Sequence, residues 1–290
     1  MKTPADLDIK PRAVSIEFPA ETAKFWYADS PFISHFFDAF STTLPVGEDL
    51  FIYALRQVRD QIDDSVLQKQ ISAFIGQEAF HSREHAKYNQ LMKRWGYDID
   101  GMDRSMARST RIIRSGLGPL QALAVTLSCE HLTAILSAAI LRGDFMQDAD
   151  ANVKYLWQWH AVEEIEHKAV AWDVYERVGG SYGIRVMWMN FAILLIGVRV
   201  SARILHMLRK DGLLFNSRVW KQGLAFLFGR KGLFRVLRRD FADFYRRDFH
   251  PWQHDTRPLT RTWLASYDAA QSGAAETAGA GAAITGSEVA

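Results

Sequence analysis

Four glutamates in this chain, Glu48, Glu78, Glu130 and Glu164, form two pairs, each centred on a break in the sequence. Glu48 and Glu78 average to position 63, inside the polar run at 63–65, and Glu130 and Glu164 average to 147, inside the run "GDFMQDAD". In an antiparallel helical hairpin, two residues stand at one height when they are equally far from the turn. Two such hairpins side by side bring all four carboxylates to one level of a bundle interior. A solvated charge pattern has no reason to keep this symmetry.

The segments around the glutamates read as helices, and strand signals are nearly absent. One helix opens after Thr43 with Pro45 in its first turn, where proline is tolerated, and runs to the break at 63–65. A second spans about Val66 to Trp95 and closes at Gly96; a third runs from Gly118-Pro119 to about Arg142; a fourth runs from about Ala151 to Val178 and stops at Gly179-Gly180. The stretch "GYDIDGMDRSMARS" between the second and third reads as a polar crossover connection. The expected fold is all-α, a ferritin-like four-helix bundle with additional C-terminal helices. Its expected divisions are an N-terminal segment at 1–29, the bundle at 30–182, a basic, apolar-rich helical extension at 183–263 and a disordered tail at 264–290.

Two of the glutamates carry a histidine three residues on, as Glu78-Ala-Phe-His81 and Glu164-Ile-Glu-His167. Residues three apart share a helix face, so each pair can offer two donors to one ion. Two Glu-x-x-His helices plus a glutamate from each of two others make the donor set of di-iron and di-manganese carboxylate bundles. At about 100° per residue, His81 and His85 fall near 300° and 340° from Glu78, and His167 and His160 near 300° and 320° from Glu164. The candidate ligands are therefore Glu48, Glu78, His81, Glu130, His160, Glu164 and His167, with His85 beside them. Glu84, Glu163, Glu166 and His131 fall to supporting or solvent positions. The expected cofactor is two iron ions, with manganese or zinc as alternatives, because carboxylate and imidazole suit these metals. Thr126 and Thr133, one turn either side of Glu130, are candidate proton-handling hydroxyls or simply helix-bonded threonines.

The stretches "LPVGEDLF", "GQEAFHSREH", "CEHLT", "WHAVEEIEHKAVAWDVY" and "FHPW" resemble the bacterial family named predicted metal-dependent hydrolases, over about residues 10 to 255. That resemblance implies a metal more firmly than it implies hydrolysis. The spacing His160-x-x-x-Glu164-x-x-His167 is also similar to that of di-iron arylamine N-oxygenases, which add a histidine to six ligands. This similarity supports the seven ligands above and leaves His85 outside. The primary expectation is a non-haem di-iron oxidase or oxygenase using dioxygen on an apolar, lipid-like substrate, with an electron donor protein as partner. The alternative is a metal-dependent hydrolase, since His81-Ser-Arg-Glu84-His85 fits the His-x-x-Glu-His zinc signature with Glu84 as general base.

Charge separates the two halves. Residues 183–263 hold 16 Lys/Arg against 5 Asp/Glu, whereas residues 1–182 hold 19 against 25. The basic half opens with thirteen uncharged residues, 186–198, short of the ~20 a membrane span needs. It continues with Leu, Phe and Trp interleaved with Arg and Lys, which suits either an anionic membrane surface or a lid over the bundle; nucleic acid is not an expected partner. One cysteine, Cys129, and an N-terminus with no apolar run behind its lysines make the expected location cytoplasmic, peripheral on the inner face of the membrane.

Overall fold

The computed structural model describes residues 3–4, 7–143 and 145–284. Eleven α-helices carry the described chain: α1 (Pro31–Ser41), α2 (Leu44–Val58), α3 (Ser65–Arg94), α4 (Ile99–Gly116), α5 (Pro119–Leu141), α6 (Ala151–His167), α7 (Val170–Arg177), α8 (Tyr182–Lys210), α9 (Ser217–Phe228), α10 (Leu233–Asp243) and α11 (Arg257–Ile284). The fold is all-α; among the described residues the one β feature is an isolated bridge between Tyr27 and Ala149.

Local chemistry explains where the bundle helices start and stop. Asp64 accepts from the backbone N–H groups of Val66 and Leu67 and starts α3, and Asp150 does the same for α6 through Asn152 and Val153. Gly96, at φ 90°, reverses the chain after α3, a backbone state that favours glycine. α2 packs on α3 and α5, α5 on α6, and α3 on α6 and α7, which makes a helical bundle.

Along each bundle helix, buried residues go from one apolar cluster to a polar layer to a second apolar cluster. Leu44, Tyr88, Leu136 and Trp159 belong to the first cluster, and Leu50, Phe74, Leu127 and Val170 to the second. Glu48, Glu78, Glu130 and Glu164 lie between them in sequence and are buried. The polar layer is thus held by apolar packing on both sides, each fully buried large side chain contributing roughly 1.5–3 kcal/mol.

Three expectations are corrected here. The crossover at 96–109 is largely α4, because Asp98 caps it and Ile99, Met102 and Thr110 recur at helical spacing and are buried. The single fourth helix is two, broken at Lys168-Ala169 directly after His167. There Lys168 Nζ donates to the His254 carbonyl, 2.6 Å away, and to Thr256 Oγ1, and lies over the Trp252 ring. α11 stays helical to Ile284 through the alanine-rich stretch where disorder was expected, consistent with alanine's high helix propensity. Residues 285–290 of that tail lie outside the described residues.

The basic half packs against the bundle: α8 on α5 and α1, α10 on α5 and α9, and α11 on α6. α5 and α8 are both long and apolar enough to cross a membrane. α5 has 89% of its apolar window buried, as a core helix does, and α8 only 33%. The N-terminal segment lies along the bundle and buries Ile9, Arg12, Val14 and Ile16.

Candidate metal centre

The seven residues picked out by spacing are all buried and meet in one place. Three overlapping triads have donor atoms within 4.8 Å of one another: Glu48, His81 and His160; Glu78, Glu130 and His167; Glu78, His81 and Glu164. His167 Nε2 is 3.1 Å from Glu78 Oε1 and 3.2 Å from Glu130 Oε2. His160 Nε2 is 3.1 Å from Glu164 Oε1. The third triad shares Glu78 with the second and His81 with the first, so the three groups form one continuous donor cluster. Glu78 and His81 fall in one triad, as the spacing expects, and His167 Nε2 lies 3.6 Å from Glu164 Oε1.

The electrostatics suit a site whose carboxylates are neutralised by protons or by cations. Burial pushes Glu48 and Glu130 well above the carboxylate range, helped by repulsion from Glu78 and Glu164; burial also raises Glu78, against the pull of His167. Burial, with His160 beside it, holds His81 well below the usual histidine range. His167 goes the other way: burial opposes its charge, but Glu164 and Glu130 hold its pKa well above normal. Glu164 is its complement; burial would raise it, yet His167 and His160 draw it well below. Both carboxylate oxygens of Glu48, Glu78 and Glu130, and Nε2 of His167, make no hydrogen bond among the described residues. Close approach without hydrogen-bond alignment is what donors aimed at a shared ion show. Four ionised carboxylates with neutral histidines carry the charge that two divalent cations cancel, so the residues fit a dinuclear site.

A second layer orients the histidines. Nδ1 of His167 meets Gln77 Oε1 at 2.9 Å, and Gln77 Nε2 donates to Glu166 Oε2 at 2.9 Å. Glu166 takes Nη1 and Nη2 of Arg12 at 2.9 and 2.7 Å, and Arg12 also reaches Glu163 through its backbone N–H at 2.8 Å. Glu163 Oε2 in turn stands 3.0 Å from His81 Nε2, in contact without hydrogen-bond alignment. Burial raises the Glu163 pKa to about 8, against Arg12. One arginine of the N-terminal segment thus ties the supports of both His81 and His167. Sequence reasoning missed Arg12 and Gln77, because neither carries a spacing signal.

The remaining candidates take other places. His85 joins no triad: its Nε2 is 3.0 Å from His160 Nδ1 and its Nδ1 2.8 Å from Ser41 Oγ, so it orients His160. Glu84 turns away from the ligands and accepts from the Ile16 N–H at 3.0 Å, with Arg83 and Lys87 on its other oxygen. Thr133 Oγ1 donates to Glu164 Oε2. Thr126 bonds back to the Ala122 carbonyl at 3.1 Å, the helix-bonded alternative. His131 lies apart, its ring 4.9 Å from Phe244 and its Nε2 3.2 Å from the Asp240 carbonyl.

Replacing Arg12 by methionine is expected to weaken metal binding ~10–100-fold, the usual cost of losing an orienting partner, as read by chelator competition. Arg12→Lys keeps the charge but not the two-pronged grip on Glu166, and is expected to recover only part of it. Wild-type affinity in Arg12→Met would show that the second layer does not set the site.

No curated protein and no solved structure matches the chain. Residues 10–255, which include every candidate ligand and the whole Arg12 network, match one family, described as predicted metal-dependent hydrolase, and the chain belongs to that family.

Proposed function

We propose that this protein is a dinuclear metal enzyme acting on an apolar substrate. The observation that supports it most is the convergence of four buried glutamates and three histidines, in overlapping triads, on a layer between two apolar cores. Bound there, the ions would supply Lewis-acid activation of water or, if they are iron, dioxygen activation. The chain's own part would be to hold the ions with Glu48, Glu78, Glu130, Glu164, His81, His160 and His167 and to keep the three histidines oriented from behind. Thr133 holds a proton against Glu164, and the surrounding apolar walls exclude bulk water.

Hydrolysis is the first reading of the reaction, because it is the activity in the family's description. The second is a di-iron oxidase or oxygenase, supplied by an electron donor protein. It is favoured by the donor set, which is carboxylate and imidazole with no thiolate. The single-zinc form of hydrolysis through His81, Glu84 and His85 has less support, since Glu84 faces Ile16, Arg83 and Lys87. Glu84→Gln is accordingly expected to keep full metal content and to change turnover of a chromogenic acyl ester less than threefold. Loss of turnover with metal retained would restore Glu84 as the base.

The deciding experiment is elemental analysis of the freshly purified chain, followed by turnover and absorption spectra with and without oxygen. Two ions per chain with ester turnover independent of oxygen support hydrolysis. Two irons with an oxygen-dependent absorption band and oxygen uptake support the oxidative reading. Fewer than one ion per chain after loading with iron, manganese or zinc would overturn the dinuclear site.

A further inference from the structure

A cleft of about 640 Å³ opens between α1, α5, α8, α9 and α10. Its walls come from residues such as Phe36, Leu136, Val200, Trp220 and Leu233; the one charged residue lining it is Arg238 and the one hydroxyl is Ser201. A second cavity of about 70 Å³, lined by Glu48 and Thr133, shares Phe40, Leu132 and Ile196 with the cleft. Those three side chains line both, so the cleft meets the cavity that Glu48 and Thr133 line.

We infer that this cleft binds a single long acyl chain with an anionic head group, the chain pointing inward to Glu48 and Thr133 and the head held at the mouth by Arg238. The inference rests on the dinuclear reading only for what happens at the inner end. Three observations carry it. First, the lining has almost no groups to orient a polar ligand, whereas an apolar chain needs none; the volume lies within the ~300–1,000 Å³ of ligand pockets. At ~30 Å³ for each water-sized group, it takes about twenty of them.

Second, polarity runs along the cleft. Arg238 is exposed, and so are Arg235 on the same helix and Arg230 and Lys231 on the turn before it. Phe228 and Phe234, 61% and 48% exposed, stand ring to ring 5.2 Å apart on this same lip. A basic, aromatic lip over an apolar interior complements an anionic head on an apolar tail. Third, the inner cavity admits a chain end and no head group, having room for roughly two water-sized groups. Its one arginine, Arg199, is already engaged by Ser109 Oγ and Met106 Sδ.

Gly197 gives a clean test. It lines the cleft from within α8, and a Cβ built there meets nothing within 4 Å, so a large side chain enters the cleft without pressing on the fold. In the full chain, Gly197→Trp is expected to weaken palmitate binding at least tenfold, read by displacement of a fluorescent apolar probe. Helix content and metal content should stay at wild-type values, and Gly197→Ala should bind palmitate within twofold of wild type. Arg238→Gln is expected to weaken palmitate about tenfold and leave hexadecanol unchanged.

Two arms separate the sources of the chain. Binding of free palmitate in buffer assigns a monomeric carboxylate; capture only in the presence of phosphatidylglycerol vesicles, salt-sensitive and lost in Gly197→Trp, assigns a bilayer. Either outcome supports the site. Palmitate binding equal in Gly197→Trp and wild type would overturn it. So would self-association through the Phe228–Phe234 lip with no binding of palmitate or vesicles. Metal content is measured separately, so loss of the dinuclear site and loss of the chain site are told apart.

Discussion

Glu78→Leu is expected to remove nearly all bound metal and, in the same protein, to stabilise the metal-free fold. Glu78 supplies a donor to two of the three triads, so its loss removes a donor from both of them. Metal content should fall from two ions per chain to under a fifth of that, and metal-dependent turnover should fall at least a thousandfold. The metal-free gain has a separate cause. Without cations, Glu78 is a buried carboxylate whose pKa burial raises, with Glu164 adding repulsion. Replacing buried charge by an apolar residue of similar size is often neutral or stabilising by ~1–4 kcal/mol. His167 keeps Glu130 and Glu164 as counter-charges, so the substitution does not strand it. Titration with iron or manganese and thermal melts in chelator check both halves; retained metal in this variant would overturn the assignment.

The second large effect is a reversal in how stability depends on pH. In the metal-free protein, burial raises Glu48, Glu78 and Glu130, and raises Glu163 to about 8. Groups raised on folding contribute stability that is fully present below their unfolded pKa and is lost as pH rises through the folded one. His167, also raised, acts in the same direction. His81 and His85 are lowered, so above about pH 6.5 they are neutral in both states and add no slope. Lys168, lowered by burial to about 7, opposes from there upward, one group against several. The metal-free protein should therefore lose stability between pH 6.5 and 8, at ~1.4 kcal/mol per pH unit for each net proton.

Metal reverses the sign, because ions compete with protons for the same donors and bind better as pH rises. A thousandfold excess of free ion over its dissociation constant adds about 4 kcal/mol. At roughly 2–4 °C per kcal/mol for a chain of this size, that is ~8–16 °C in melting temperature. Melts across this range with chelator and with manganese test it; parallel slopes, or no shift on adding metal, would show that the carboxylates are not neutralised by metal.

The donors that come together were legible because their spacing is short-range geometry. A helix repeats every ~3.6 residues, so Glu78 with His81, and Glu164 with His167, share faces wherever those helices go. The hairpin turns near 63 and 147 add only equal distances from a turn, which sequence also shows. α4 was legible in principle, since Asp98 and the spacing of Ile99, Met102 and Thr110 mark a capped amphipathic helix, but its polar composition masked the period.

What spacing could not show was which side of each side chain another element would claim. Glu84 and His81 lie three residues apart on α3 and look equally suited to bind metal. Ile16 offers Glu84 a backbone N–H, and its side chain turns away from the ions. His85 lies on the ligand stripe, yet Ser41 and His160 make it a support. Arg12 reaches Glu163 across 151 positions of sequence, and the acyl cleft is assembled from five helices that no local pattern relates. The sequence by itself determined the helices, the level at which four carboxylates meet and the donors able to bind metal, since periodicity and distance from a turn are local properties of the chain. Only the tertiary structure decided which donors lie within reach of one another, which arginine stands behind them and where an apolar cleft opens. Those contacts join segments far apart in sequence, and only the packing of the whole molecule brings them together.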